Sequence, residues 1–204
     1  MTIRRFETGH VVTMARFKAW TASACCAVTL GCLVMGLGCT TTPPPRYYTL
    51  DMAPSGTVHP ECDFVVARIR ATEPLARRDI LVKKTPTEIE YYALEQWAAD
   101  PGLLVSEKLA AELGHRPDAA KRIEISGEVL AFEQIDRHGG AEAHLKLYLE
   151  FRTAEQRPFD EPAMKRTYDL YLPVEATPPA GVVLALSKGL EHIAAAVAAD
   201  AATL

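Results

Sequence analysis

Apolar and polar residues alternate most cleanly in AEAHLKLYLEFR, residues 141–152. Ala141, Leu145, Leu147, Leu149 and Phe151 fall on one side of an extended chain; Glu142, His144, Lys146, Glu150 and Arg152 fall on the other. RIEISGEVLAF, residues 122–132, repeats the pattern with Ile123, Ile125, Val129 and Ala131 inward. Gly139-Gly140 lies between the two runs, so they predict a β-hairpin. MKRTYDLYL predicts another strand, with Tyr168, Leu170 and Leu172 inward. CDFVVARIRA predicts one with Val65, Ala67 and Ile69 on one face. DILVKK and TEIEYYAL read as two extended segments joined at Thr85-Pro86, and periodicity leaves the second open to a short helix.

Two helices complete the pattern. Asp100-Pro101 supplies an N-cap and a first-turn proline, Val105, Leu109 and Leu113 recur every fourth residue, and Gly114 is placed to end the helix. After Thr177-Pro178, again read as a cap followed by proline, Val183, Leu186, Leu190, Ile193 and Val197 form a second stripe. One-sided strands with two amphipathic helices predict an α+β fold, an antiparallel sheet covered on one face by the helices.

The first 38 residues change the picture. Arg16 and Lys18 precede an uncharged run over residues 19–38, the shape of a secretory signal peptide, with Met14 a plausible true start. The run ends at Gly38-Cys39, which resembles a lipobox, where the cysteine receives diacylglycerol and, as the new N-terminus, an N-acyl chain. A lipobox favours Leu three residues before the cysteine, whereas here Gly36 holds that place and Leu37 follows. Cys32 is the rival site, but cleavage there would leave LVMGL on the mature chain, whereas Cys39 is followed at once by a proline-rich tether. An uncleaved membrane span is the alternative, weakened by the Ala, Ser, Thr and Gly in the run. The predicted organisation is therefore a signal peptide over 1–38, a lipidated Cys39 and tether over 39–46, and a folded domain over 47–204.

Charge and cysteine count follow this division. Four of the 22 basic and one of the 26 acidic groups precede Cys39, leaving 18 against 25, a net −7, on the rest. An acidic body gives no basis for nucleic-acid binding. Of the five cysteines only Cys62 would remain free in the mature body, so no internal disulfide can form there.

Candidate chemistry is sparse. The chain has no GxSxG, Walker, HExxH or CxxC motif, and no cofactor or metal is expected beyond the acyl groups on Cys39. His138 and His144 flank the hairpin turn without ligand spacing and read as surface residues. Residues 77–113 stand out because Tyr91, Tyr92 and Trp97 sit beside many charges, a composition of either core or interface. Alternation in EIEYYAL groups Glu88, Glu90 and Tyr92 on a polar, partner-accessible face and buries Tyr91 with Ile89. Glu88, Glu90, Tyr92 and Trp97 are thus the candidate partner-binding residues, with a core role the competing reading for Trp97.

The same stretch carries a family resemblance. RRDI, then PTEIEYYA, then Trp97 and a helix ending in LAAEL resemble the ABC-type transport auxiliary lipoprotein family, as do PPPRYYTLD and GEVLAFEQID. The resemblance covers the chain from Cys39 to the last helix. It implies a non-enzymatic periplasmic lipoprotein, held to a membrane by its lipid. The implied partners are an MCE-type protein and an ABC permease and ATPase, acting in lipid traffic between membranes. Thr40, where inner-membrane retention commonly uses Asp, implies the outer membrane. A homo-oligomer is left open. The competing classes are a structural or assembly lipoprotein and a lipoprotein hydrolase.

Overall fold

A computed structural model describes residues 43–204 of the protein, apart from Val58, Pro60 and Pro158. The signal segment and Cys39 lie outside the described residues. Residues Pro44–Leu204 form one compact unit. Its elements are β1 (Arg46–Tyr48), β2 (Cys62–Ala71), β3 (Asp79–Thr85), β4 (Glu88–Trp97), α1 (Pro101–Leu113), β5 (Lys121–Arg137), β6 (Gly140–Thr153), β7 (Met164–Pro173) and α2 (Ala180–Ala201). The segment left open between strand and helix is the strand β4. Arg46, assigned above to the tether, already belongs to β1.

All seven strands share one sheet, in the order β1-β4-β3-β5-β6-β7, with β2 also on β5. At 17 residues, β5 is long enough to hold two neighbours along one edge. β2 runs beside Lys121–Val129, and β3 continues beside Glu133–Ile135. Both pairings are parallel, as is β1 with β4, so the sheet is mixed and not antiparallel as expected. Alternation reports which face a residue occupies and carries no information on strand direction. The direction comes from α1, which returns the chain after the β3–β4 hairpin so that β5 starts beside the start of β2.

The buried face is built where alternation predicts it in β6, whose Ala143, Leu145, Leu147, Leu149 and Phe151 are fully buried. Two other strands shift register. In β2 an extra residue between Val66 and Ile69 reverses the faces, so Cys62 and Phe64 are buried with Ile69, while Val65 and Ala67 are half-buried. In β5 a bulge at Leu130 sets Ala131 opposite Lys146, and Phe132 instead opposes Leu145 in the core. Gly127 allows β5 and β6 to approach, since a Cβ there would lie 2.0 Å from the Tyr148 carbonyl oxygen.

The first helix is capped as its sequence predicts. Asp100 Oδ1 accepts from Leu103 N at 3.2 Å, Pro101 opens the first turn, and Gly114 ends it at φ 73°. Its N-terminal end lies against the backbone of β2. A Cβ on Gly102 would sit 2.5 Å from the Ile69 carbonyl oxygen, and Ser106 Oγ accepts from Ile69 N at 3.0 Å. A helix thus covers part of an otherwise open strand edge. The second helix starts later than predicted, after Pro179 and with no side-chain cap from Thr177. Its expected stripe is buried, and Val182, Ala194 and Ala201 widen it. α2 is long and apolar enough to cross a membrane by composition, but here that apolar surface is the domain core. Ser187 Oγ on this helix accepts from Asp51 N at 2.9 Å, holding the segment that buries Leu50 and Met52. The helices pack on β2, β5, β6 and β7, and to no comparable extent on the β3–β4 hairpin.

Candidate functional site: the β3–β4 hairpin end

The hairpin turns at Thr85–Thr87 and pairs Lys83 with Ile89, Val82 with Glu90 and Leu81 with Tyr91. Beyond that point β3 advances two residues while β4 advances five, to the Asp79–Gln96 pair. The surplus on β4 lets Trp97 turn into the core while Glu88, Glu90 and Ile89 stay outside. Trp97 is 1% exposed and packs against Phe132 with ring centroids 4.8 Å apart. It is out of a partner's reach, so the core reading replaces the binding role considered for it.

The expected division of Tyr91 and Tyr92 between buried and open faces also differs from the structure. Both are half-buried, and Ile89 is 44% exposed. Tyr91 lies under the Arg77 guanidinium, 4.8 Å from its ring centroid, and its hydroxyl donates to the Pro74 carbonyl at 3.2 Å. Tyr92 donates to Gln134 Oε1 at 2.7 Å, and Gln134 Nε2 donates to Asp136 Oδ1 at 2.6 Å. Lys84 Nζ donates to Asp136 Oδ2 at 2.8 Å and lies 3.6 Å from Glu90. The structure thus joins Tyr92 and Glu90 in one network and leaves Glu88 exposed at the start of β4. Bonding to Lys84 lowers the Asp136 carboxyl, the same bond raises Lys84, and burial raises the Tyr92 phenol. Lys84 and Asp136 therefore stay charged, and the Tyr92 phenol stays neutral, at neutral pH.

At the other end of β4, Arg46 and Glu95 form an ion pair across the parallel β1–β4 contact. The bond to Arg46 lowers the Glu95 carboxyl despite its burial. Arg78 donates from Nε to the Trp97 carbonyl at 3.0 Å and from Nη2 to the Ala98 carbonyl at 2.8 Å, and lies 5.3 Å from the centroid of Tyr47, which is 57% exposed. β1 pairs only with Glu95–Trp97, so the rest of β4 presents an unpaired backbone edge among the described residues. That edge, with Ile89 and the two glutamates, has the chemistry of a surface that accepts a partner.

A second cluster was missed in the sequence. His144, expected at the surface, is 8% exposed. Tyr171 stacks on its ring at 4.2 Å, and its nitrogens face Glu133 at 3.3 Å and Asp169 at 2.9 Å. Lys146 lies 2.8 Å from the same aspartate. Burial alone would lower the imidazole pKa, but the two carboxylates outweigh it and the net shift is upward. Its place on the polar face of β6 was legible, but the strand neighbours that enclose it were not. Among the described residues no group of three or more metal-ligating side chains converges.

The comparisons with known proteins place this body in a family. The model of the ABC-type transport auxiliary lipoprotein component matches residues 48–198. The chain belongs to the ABC-type transport auxiliary lipoprotein family. Membership makes it a membrane-anchored periplasmic lipoprotein associated with an ABC transport system. Two crystal structures share the fold of this auxiliary lipoprotein. One, of an uncharacterised protein, is 15% identical with a TM-score of 0.61, covering 78% of this chain and 99% of its own. The other, of a Xanthomonas campestris protein, is 18% identical with a TM-score of 0.62, covering 75% and 91% respectively. No curated protein matches the sequence.

Proposed function

We propose that this auxiliary lipoprotein serves an ABC transporter with an MCE-type component that moves lipid between membranes. In this reading it is not an enzyme. It is anchored at the periplasmic face of the outer membrane by acyl chains on Cys39 and engages its partner through the hairpin end. The family match over nearly the whole folded body is the observation that carries the reading. Each methylene buried by the anchor contributes about 0.8 kcal/mol, so two or three chains hold firmly. The chain from Cys39 to the start of β1 can reach at most about 25 Å, which limits how far the body can stand from its lipid. Tethering of this kind raises the local concentration of partner and body without a new contact.

The test is affinity capture of the full-length chain from solubilised membranes. It should recover the MCE-type protein together with the permease and ATPase, and the intact chain should fractionate with the outer membrane. The Cys39→Ser chain should keep its signal segment uncleaved, lose acyl labelling and leave the outer-membrane fraction. A labelled, anchored chain that captures none of these partners would contradict the transport reading and favour a structural lipoprotein.

A further inference from the structure

Five arginines of the described body pair with carboxylates: Arg46, Arg70, Arg77, Arg137 and Arg166. Three others, Arg122, Arg152 and Arg157, form no ion pair among the described residues, yet they line one cleft of about 320 Å³ with Glu124. Three guanidiniums and the Glu124 carboxylate line this cleft, and the Asp160 and Glu161 carboxylates lie beside it without forming an ion pair to any of the three arginines among the described residues. Arginine stays protonated at any physiological pH, so the repulsion cannot be relieved by losing a proton. Nor does Glu124 relieve it. It is directly opposite Arg152 in the β5–β6 register but forms no ion pair within 4.0 Å among the described residues.

The cleft is also held in shape by bonds to backbone groups, which leave the guanidinium N–H donors of Arg122 and Arg157 unused among the described residues. Arg152 Nη1 donates to the Asp160 carbonyl at 2.6 Å, which orients the guanidinium without cancelling its charge. Gln156 Oε1 accepts from the backbone nitrogens of Thr153 and Ala163, both at 3.1 Å, and so pins the turn that carries Arg157. Arg157 N in turn donates to Asp160 Oδ2 at 2.8 Å. The contrast is with the His144 cluster on the same strand, where every cation faces a carboxylate.

We infer that Arg122, Arg152 and Arg157 form an anion site that takes a phosphate group, from an anionic lipid headgroup or from free phosphate. Guanidiniums bind phosphate oxygens through paired N–H donors, and several in one cleft can share its oxygens. A cleft of this volume is near the lower end of small-molecule sites, roughly 300 Å³, and admits a headgroup but not acyl chains. The inference does not rest on the transport reading, since it stands on the arginines alone.

The test titrates the full-length chain in neutral detergent with inorganic phosphate, with short-chain phosphatidic acid and with short-chain phosphatidylcholine, by calorimetry. The two anions should bind. Arg122→Gln and Arg157→Gln should each weaken them by about tenfold or more, the scale of a lost charged hydrogen bond. Among the described residues the Arg122 side chain makes no hydrogen bond, so its variant keeps the fold, whereas Arg152→Gln also loosens the turn. Tighter binding of phosphatidic acid than of phosphate assigns the site to a headgroup, and equal binding assigns it to phosphate alone. Failure of both anions to bind, or affinities unchanged in both glutamine variants, would overturn the inference. Equal binding of the zwitterionic phosphatidylcholine would overturn the lipid assignment by charge.

Discussion

β6 and β4 lie in one sheet, yet alternation describes them very differently. β6 has β5 and β7 on its two sides and α2 against it, and its apolar positions are buried along almost its whole length. β4 has a partner on only part of its outer edge and no helix of comparable contact, and its alternation places Ile89 in solvent and both tyrosines in polar bonds. Where a helix covers the sheet, water exclusion decides which side chain is inside. Where none does, charge networks and the register of the neighbouring strand decide. The covered half is therefore the stabilising core, and the hairpin end is the half we propose for a partner.

The widest separation between the two halves should come from Trp97, the point where β4 enters the core. Trp97→Ala should cost about 3–5 kcal/mol, read as a fall in thermal or denaturant midpoint. A small effect would move Trp97 out of the core and erase the boundary drawn here. Gly127→Ala should come next. The added methyl group meets the Tyr148 carbonyl, so β5 and β6 must part, at a cost of about 1–3 kcal/mol. An unchanged stability curve would show that the two strands do not approach as closely as described.

The extent to which these halves could be read in advance follows the same line. Val105, Leu109 and Leu113, and the stripe of α2, were legible because helical periodicity needs no neighbour to interpret. The inward row of β6 was legible for the same reason. The mixed sheet was not, because pairing direction depends on how α1 returns the chain. Nor were the reversals at Val66–Ile69 and at Leu130, since one extra residue inverts every face beyond it. At the hairpin the exposed Glu88 and Glu90 were legible, but the bond from Tyr92 to Gln134 joins residues 42 apart. Arg46 and Glu95 are farther apart still, and nothing local announces them.

A finer contrast concerns pH. The His144 imidazole, a β6 group, is faced by Glu133 of β5 and by Asp169 and Tyr171 of β7, with Lys146 beside it on its own strand. Its folded pKa is raised, so its stabilisation is complete below its unfolded value of 6.5 and is lost as pH rises through the folded value. Asp169 has the opposite dependence, its folded pKa being lowered chiefly by Lys146, and matters only in acid. Melting temperature followed from pH 6 upward should therefore fall in the natural chain relative to His144→Gln. Parallel curves would show that folding leaves the imidazole pKa unshifted, and a relative rise that the imidazole is held neutral in the folded state. Smallest of all, Tyr92→Phe should cost about 1 kcal/mol, the value of one hydrogen bond, and leave the core intact. A loss near that of Trp97→Ala would mean that the hairpin end belongs to the core after all.

The central claim is that the hairpin end meets the transporter while the rest supports it. The most direct measurement is capture of the MCE-type protein by full-length chains carrying Glu88→Lys, Ile89→Asp and Glu90→Lys together, alongside their melting temperature. All three side chains are exposed, so the fold should melt within a few degrees of the natural chain, while capture is lost. Capture at the natural level by a stably folded triple variant would contradict the claim and place the partner surface elsewhere on the body.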